Sequence, residues 1–190
     1  MDWNFGQNIA GYIEFRICAQ KDQRLTFRFG EMLDESGNLT QKNIQCVMKD
    51  HVTPRQQIIY TCKEGVNEYK TTFAVFGFQY AEVETDIELQ PKNVTAIAVY
   101  SDIEQTGFFE SSNELLNRFV EATIWSTKSN SLDVPTDCPT RERHGWTGDA
   151  QVFCKTASIN YDTEKFFAKW LADVALEQTK EGAVWGIVPH

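Results

Sequence analysis

From Tyr12 to Cys18 the chain runs YIEFRIC, so that Ile13, Phe15 and Ile17 fall on one side of an extended backbone and Glu14 and Arg16 on the other. Apolar residues at every second position predict a strand with one face against a core and the other in water. RLTFRFGE repeats the pattern with Leu25, Phe27 and Phe29. DESGN at 34–38 is a turn cluster, and IIYTC, TTFAVFGFQYAEVE and VTAIAVYS are further β-rich runs separated by Gly, Asn, Pro and Lys. Short strands at fairly regular spacing, with no long helical period among them, predict an antiparallel β-sandwich.

Near Gly107 the period changes. Ser111 followed by Glu114 matches a capping box, and Leu116, Val120 and Ile124, flanked by Leu115 and Phe119, form a helical apolar stripe that runs to about Ser129. A second helix is predicted from about Asp149, with Val152, Phe153, Thr156 and Ala157 on one side. A third is predicted from about Asp162, with Phe167, Trp170, Leu171 and Val174 at helical spacing. The chain therefore divides into a β-sandwich domain, 1–103, and the start of a helical domain, 104–190. The helices carry wider apolar faces than three of them can cover. The expectation is a segment of a longer protein, incomplete at both ends.

Composition narrows the chemistry. A formal net charge of -9 and a pI near 4.8 disfavour nucleic acid and anionic membranes as partners and suit a neutral or small ligand. No apolar run approaches the roughly 20 residues of a membrane span, and MDWNFGQNIA lacks a signal-peptide layout. Cysteines 18, 46, 62, 138 and 154 are odd in number and widely spaced, which predicts reduced thiols and a cytoplasmic location. Cys138, His144 and Cys154 match no common zinc spacing, so neither metal nor cofactor is expected. NLT at Asn38 and NVT at Asn93 match the glycosylation pattern, which matters only in a secreted eukaryotic protein.

Between the first two helices lies PTDCPTRERHGWTGDA, 135–150. Pro135 and Pro139 forbid a helix there and Gly145 and Gly148 permit turns, so Asp137, Arg141, Glu142, Arg143, His144, Trp146 and Asp149 sit on a constrained loop. Each has an ordinary structural explanation. Asp149 could cap the second helix, Glu142 could pair with an arginine, Trp146 could be core and Asp137 could cap a turn. Their concentration on one loop points instead to a polar, aromatic binding pocket.

The longer string PTDCPTRERHGWTGDAQVF resembles the signature of the bacterial α-L-rhamnosidases, glycoside hydrolases whose catalytic domain is a six-hairpin (α/α) barrel. NIAGYIEFRI, LTFRFGEMLDESGNL and FAVFGFQYAEV resemble the β-sandwich that precedes that domain, and SDIEQTGFFESSNELLNRFVEATIWSTKSNSLDVPTDCP resembles the entry into the barrel. INYDTEKFFAKWLADVALEQTKEGAVWGIVP continues the pattern, so the likeness covers essentially the whole chain. Many members carry RDER where this chain has RER, and a leucine or methionine where His144 stands. The resemblance implies an antiparallel β-sandwich followed by the first helices of the barrel, and inverting hydrolysis of terminal α-L-rhamnose from α-L-rhamnosides. It implies Glu142 as general acid, and Asp137, Arg141, Trp146 and Asp149 as substrate-binding residues. His144 is left at the rim. The acid role requires Glu142 to hold its proton, which burial and the neighbouring Asp137 and Asp149 favour and Arg141 and Arg143 oppose. Members also contain a second catalytic glutamate that supplies the general base. It has no counterpart within these 190 residues, so the fragment is expected to be inactive alone. The alternatives are another hydrolase or lyase on the same barrel, and a noncatalytic carbohydrate-binding module in the β part.

Overall fold

A computed structural model of the chain describes residues 2–45, 47–48, 51–52 and 55–190. These fall into two compact units divided between Val99 and Tyr100. Cys46 lies outside the described residues.

The first unit contains strands β1 (Asp2–Ala19), β2 (Arg24–Gly30), β3 (Met32–Leu33), β4 (Leu39–Thr40), β5 (Val47–Met48), β6 (His51–Val52), β7 (Gln57–Thr61), β8 (Gly65–Lys70), β9 (Phe76–Thr85) and β10 (Val94–Ala98). Six of them form one antiparallel sheet in the order β10-β1-β9-β2-β7, with β8 also on β1. The long β1 pairs with β9 along its first half and with β8 along its second, while β10 takes its opposite edge. The sheet curls on itself as a result, and the apolar positions enclose the core. Ile13, Phe15 and Ile17 meet Leu25, Phe27 and Phe29 there, together with Phe76, Phe78, Ala81 and Val83 of β9. The rings of Phe29 and Phe76 stack with centroids 4.7 Å apart.

Two features depart from simple alternation. β9 buries Phe76 and Phe78 and then changes parity to Ala81 and Val83. Between the pairs Asn4↔Tyr80 and Ile9↔Phe78, β1 carries four residues against one on β9. That bulge turns at Gly6, at φ +80°, whose N–H donates to Asn4 Oδ1 at 2.9 Å. The apolar run at 71–84 also begins earlier than its strand, and Phe73 is almost wholly exposed. The turn at 34–38 forms as expected, with Asp34 Oδ1 accepting the N–H groups of Ser36 and Asn38, both at 2.9 Å.

The second unit holds helices α1 (Glu114–Ser129), α2 (Thr147–Asn160) and α3 (Glu164–Leu176). The expected capping box at Ser111 does not form. Asn113 is the N-cap and accepts the Leu115 N–H at 3.0 Å, while Asn117 Oδ1 accepts the Ser111 N–H and Asn117 Nδ2 donates to the Ser111 carbonyl, both at 2.9 Å. α2 begins two residues before Asp149, which leaves Ala150 and Ala157 buried and Val152 exposed. α3 buries Phe166 and Trp170, with Phe167 and Val174 packed beside them, and Leu171 faces outward. At the centre of this unit Trp170, Ala150 and Val188 pack together, and the Trp170 indole donates to the Val188 carbonyl at 3.0 Å. The buried Tyr161 hydroxyl donates to the Ile124 carbonyl, and burial pushes its pKa up to about 12. Among the described residues, no helix is long and apolar enough to cross a membrane.

Candidate functional site

The loop from Asn130 to Trp146 is built by backbone and side-chain closure. Ser131 bridges to Pro135, and the Thr136 N–H donates to the Asn130 carbonyl at 3.0 Å. Asp137 clamps the far end. Its N–H donates to the His144 carbonyl at 3.1 Å, and its Oδ1 accepts the His144 N–H at 2.9 Å. Within that clamp the chain reverses at Arg143, a non-glycine residue at φ +58°.

Beyond the reversal, residues 145–147 hydrogen-bond to 186–188. The Val188 N–H donates to the Gly145 carbonyl and the Thr147 N–H to the Gly186 carbonyl, each at 2.9 Å, and Trp146 bridges to Ile187. Gly145 is buried here, and the position requires glycine because a Cβ would land on the Val188 carbonyl oxygen, with the Trp170 indole close behind. The loop is thereby fastened to the completed part of the helical core.

This backbone path brings the Glu142 carboxylate between two donors. Arg141 gives its guanidinium to Oε1 at 3.0 Å and Trp146 gives its indole N–H to Oε2 at 3.1 Å. The Glu142 side chain is 22% exposed and that of Arg141 48%. The Glu142 N–H in turn donates to Cys138 Sγ at 3.2 Å. The anticipated arginine pairing of Glu142 is present, and it coexists with a second donor that spacing alone does not indicate.

Asp137 and Asp149 line a cleft of about 450 Å³ between the end of α1 and the faces of α2 and α3. Asn130, Phe153, Cys154 and Phe167 also line it. Of the five residues proposed from sequence, the cleft takes these two aspartates, whereas Arg141, Glu142 and Trp146 form their own hydrogen-bonded group on the same loop. Asp149 is not the N-cap of α2. That position belongs to Trp146, and Asp149 stands in the first turn, where a negative charge suits the helix dipole. His144 is exposed and contributes its backbone. Sequence reasoning missed Asn130, Phe153 and Phe167 as cleft residues, since each reads as an ordinary helix-end or core position. It also missed Cys138 as a partner of the Glu142 backbone. Among the described residues, no three His, Cys, Asp or Glu side chains are grouped so as to hold a metal ion.

Comparison with known proteins adds a family context. Residues 3–100 match the bacterial alpha-L-rhamnosidase concanavalin-like domain, and residues 104–190 match the bacterial alpha-L-rhamnosidase 6 hairpin glycosidase domain. An alpha-L-rhamnosidase of Formosa agariphila is 35% identical over 96% of this chain. The crystal structure of Streptomyces avermitilis alpha-L-rhamnosidase complexed with L-rhamnose superposes with a TM-score of 0.91 at 31% identity, covering all of this chain and 18% of that one. The native enzyme of Aspergillus terreus gives 0.91 at 35% identity, covering 22% of its chain. The chain spans about a fifth of the length of the curated relatives it matches, 20% for the Formosa protein.

Proposed function

The chain belongs to the bacterial α-L-rhamnosidase family, spanning its concanavalin-like domain and the opening of its six-hairpin glycosidase domain, and from this we propose that it is a segment of a longer enzyme that hydrolyses α-L-rhamnosides. Glu142 is the general acid that protonates the departing glycosidic oxygen. Asp137 and Asp149 accept hydrogen bonds from the sugar hydroxyls, Arg141 donates to them, and the Trp146 ring offers a flat apolar surface to the pyranose and its methyl group. The reaction inverts the anomeric centre, with a base from another part of the enzyme activating water on the opposite face.

The observation that carries this reading is the Glu142 carboxyl itself. It is three-quarters withdrawn from solvent, held by two donors at 3.0 and 3.1 Å, and set on the same clamped loop as the cleft aspartate Asp137. A solvated surface ion pair needs no second donor and no fixed loop.

In the full-length enzyme, Glu142→Gln lowers kcat on p-nitrophenyl α-L-rhamnoside by about 10²- to 10⁴-fold and leaves rhamnose affinity largely intact. Following the product by NMR gives the β-anomer first in the wild type. A variant that keeps near wild-type kcat removes the acid assignment, and an α-anomer removes inversion. The purified 190-residue chain gives no turnover, and any measurable rate from it overturns the division of labour proposed here.

A further inference from the structure

We infer that the indole N–H of Trp146, and not its ring alone, takes part in the acid step: by holding Glu142 Oε2 as an acceptor it reserves Oε1 for the proton that passes to the glycosidic oxygen. The inference rests on the acid reading of Glu142.

A protonated carboxyl has one hydroxyl oxygen, which donates, and one carbonyl oxygen, which accepts. An indole nitrogen can only donate, and it does so at every accessible pH. Trp146 therefore favours the form of the acid in which Oε2 is the carbonyl oxygen, and the transferable proton lies on Oε1. The two donors on Glu142 differ in how firmly they are placed. Trp146 is fixed through its backbone, between the buried Gly145 and the Thr147 N–H bond to Gly186 at 2.9 Å. Arg141 reaches Oε1 with a long side chain that is 48% exposed. A guanidinium on Oε1 opposes a proton there, so Arg141 must release that oxygen before the acid can act, and sugar hydroxyls are acceptors to which it can turn.

The step then balances. The Oε1 proton goes to the glycosidic oxygen, and the electron pair of the anomeric carbon–oxygen bond leaves with that oxygen as an alcohol. Water, deprotonated by a second carboxylate, bonds to the anomeric carbon. Glu142 is left as a carboxylate whose Oε2 already has its donor. Trp146 is thus a positioning residue for the acid as well as a surface for the sugar.

The test uses the full-length enzyme with Trp146→Phe, and with an isosteric benzothienylalanine at 146 that keeps the bicyclic shape and deletes the N–H. Each is assayed on aryl rhamnosides of rising leaving-group pKa, on an alkyl rhamnoside and on α-L-rhamnosyl fluoride, whose fluoride departs without a proton. The expected result is a kcat loss of about tenfold on the alkyl substrate, a fraction of the roughly 10²- to 10⁴-fold that acid catalysis as a whole contributes. The loss shrinks as the leaving group improves and is smallest on the fluoride, with KM moving less than kcat in the benzothienylalanine variant, which keeps the ring surface; Trp146→Phe adds to this a loss, the same for every leaving group, from its smaller surface for the sugar. Retained turnover of the fluoride also shows that the variants are folded and bind sugar. A loss of equal size on every substrate, or one confined to KM, overturns the inference and leaves Trp146 as a platform. Glu142→Gln run beside them separates the two layers. If it too keeps wild-type kcat on the alkyl substrate, the acid reading falls, whereas leaving-group dependence in Glu142→Gln without it in the 146 variants removes only the role given to the indole.

Discussion

In the β unit Phe15, Phe27, Phe29, Phe76 and Phe78 are each no more than 7% exposed, whereas in the helical unit Leu115, Phe119, Val152 and Ile159 are each 65% exposed or more. Both units are rich in apolar side chains, and the difference is one of closure. A strand with apolar residues at every second position needs only paired neighbours and a sheet that curls, and β1 supplies this by pairing with β8, β9 and β10 at once. A helical stripe needs another element laid against it. Here α1 offers one face to Tyr161 through the Ile124 carbonyl and leaves Leu115, Leu116 and Phe119 in solvent. The completed part of the helical core, around Trp170, Ala150 and Val188, is where the Glu142 loop is fastened. In this unit the loop that carries Glu142 is therefore hydrogen-bonded to the best-packed part of the core.

The largest effect should come from the closed core. Phe27 is fully buried and contacts the rings of Phe15 and Phe29. Phe27→Ala is expected to cost about 3–5 kcal/mol, seen as a fall in the urea midpoint of the β unit at unchanged m. A cost near zero would mean that the sheet does not enclose a packed core. Next comes the fastening of the loop. Gly145→Ala forces a methyl group onto the Val188 carbonyl oxygen, and the 145–147 segment must move away at a cost of about 2–3 kcal/mol. Because Trp146 moves with it, the variant should also lose rhamnoside turnover in the full-length enzyme. A variant of unchanged stability would break the link drawn between the helical core and the loop.

The alternation in YIEFRIC and RLTFRFGE shows the β core directly, because strand period and burial coincide at Ile13, Phe15, Ile17, Leu25, Phe27 and Phe29. The parity change in β9 is hidden, since it depends on four residues of β1 looping out at Gly6. The start of α1 is hard to place because Ser111 and Asn113 are both good caps, and the choice is made by the Asn117 side chain, which occupies Ser111. Prolines and glycines mark the site loop as a loop. That Glu142 meets the Trp146 indole is not legible, because non-helical residues four apart meet only where the backbone turns sharply, and the turn here is a positive φ at an arginine.

A smaller effect is expected at Tyr161, where α2 ends against α1. Tyr161→Phe removes its hydrogen bond to Ile124, at a cost of about 1 kcal/mol. It also changes the alkaline response. With the folded pKa raised to about 12 from a usual value of 10.0, the unfolded chain releases this proton first. The neutral hydroxyl therefore favours folding fully below about pH 10, and the benefit is lost as pH rises toward 12. Urea midpoints taken across that window should fall with pH in the wild type and fall less in Tyr161→Phe. Parallel slopes would mean that the hydroxyl is not buried as described.

The smallest effect should lie on the open stripe. Phe119 is 69% exposed on α1, so its ring is already largely hydrated and truncation removes little buried area. Phe119→Ser in the 190-residue chain should therefore change stability by no more than about 0.5 kcal/mol, roughly a tenth to a sixth of what truncating an equally large ring costs in the β core. Hydrogen exchange offers an independent check, since amides of α1 around Phe119 should open at lower free energy than those of β1 around Phe15. If Phe119→Ser costs as much as Phe27→Ala, the ring is covered in solution, and the contrast between a closed sheet and an open helical face does not hold.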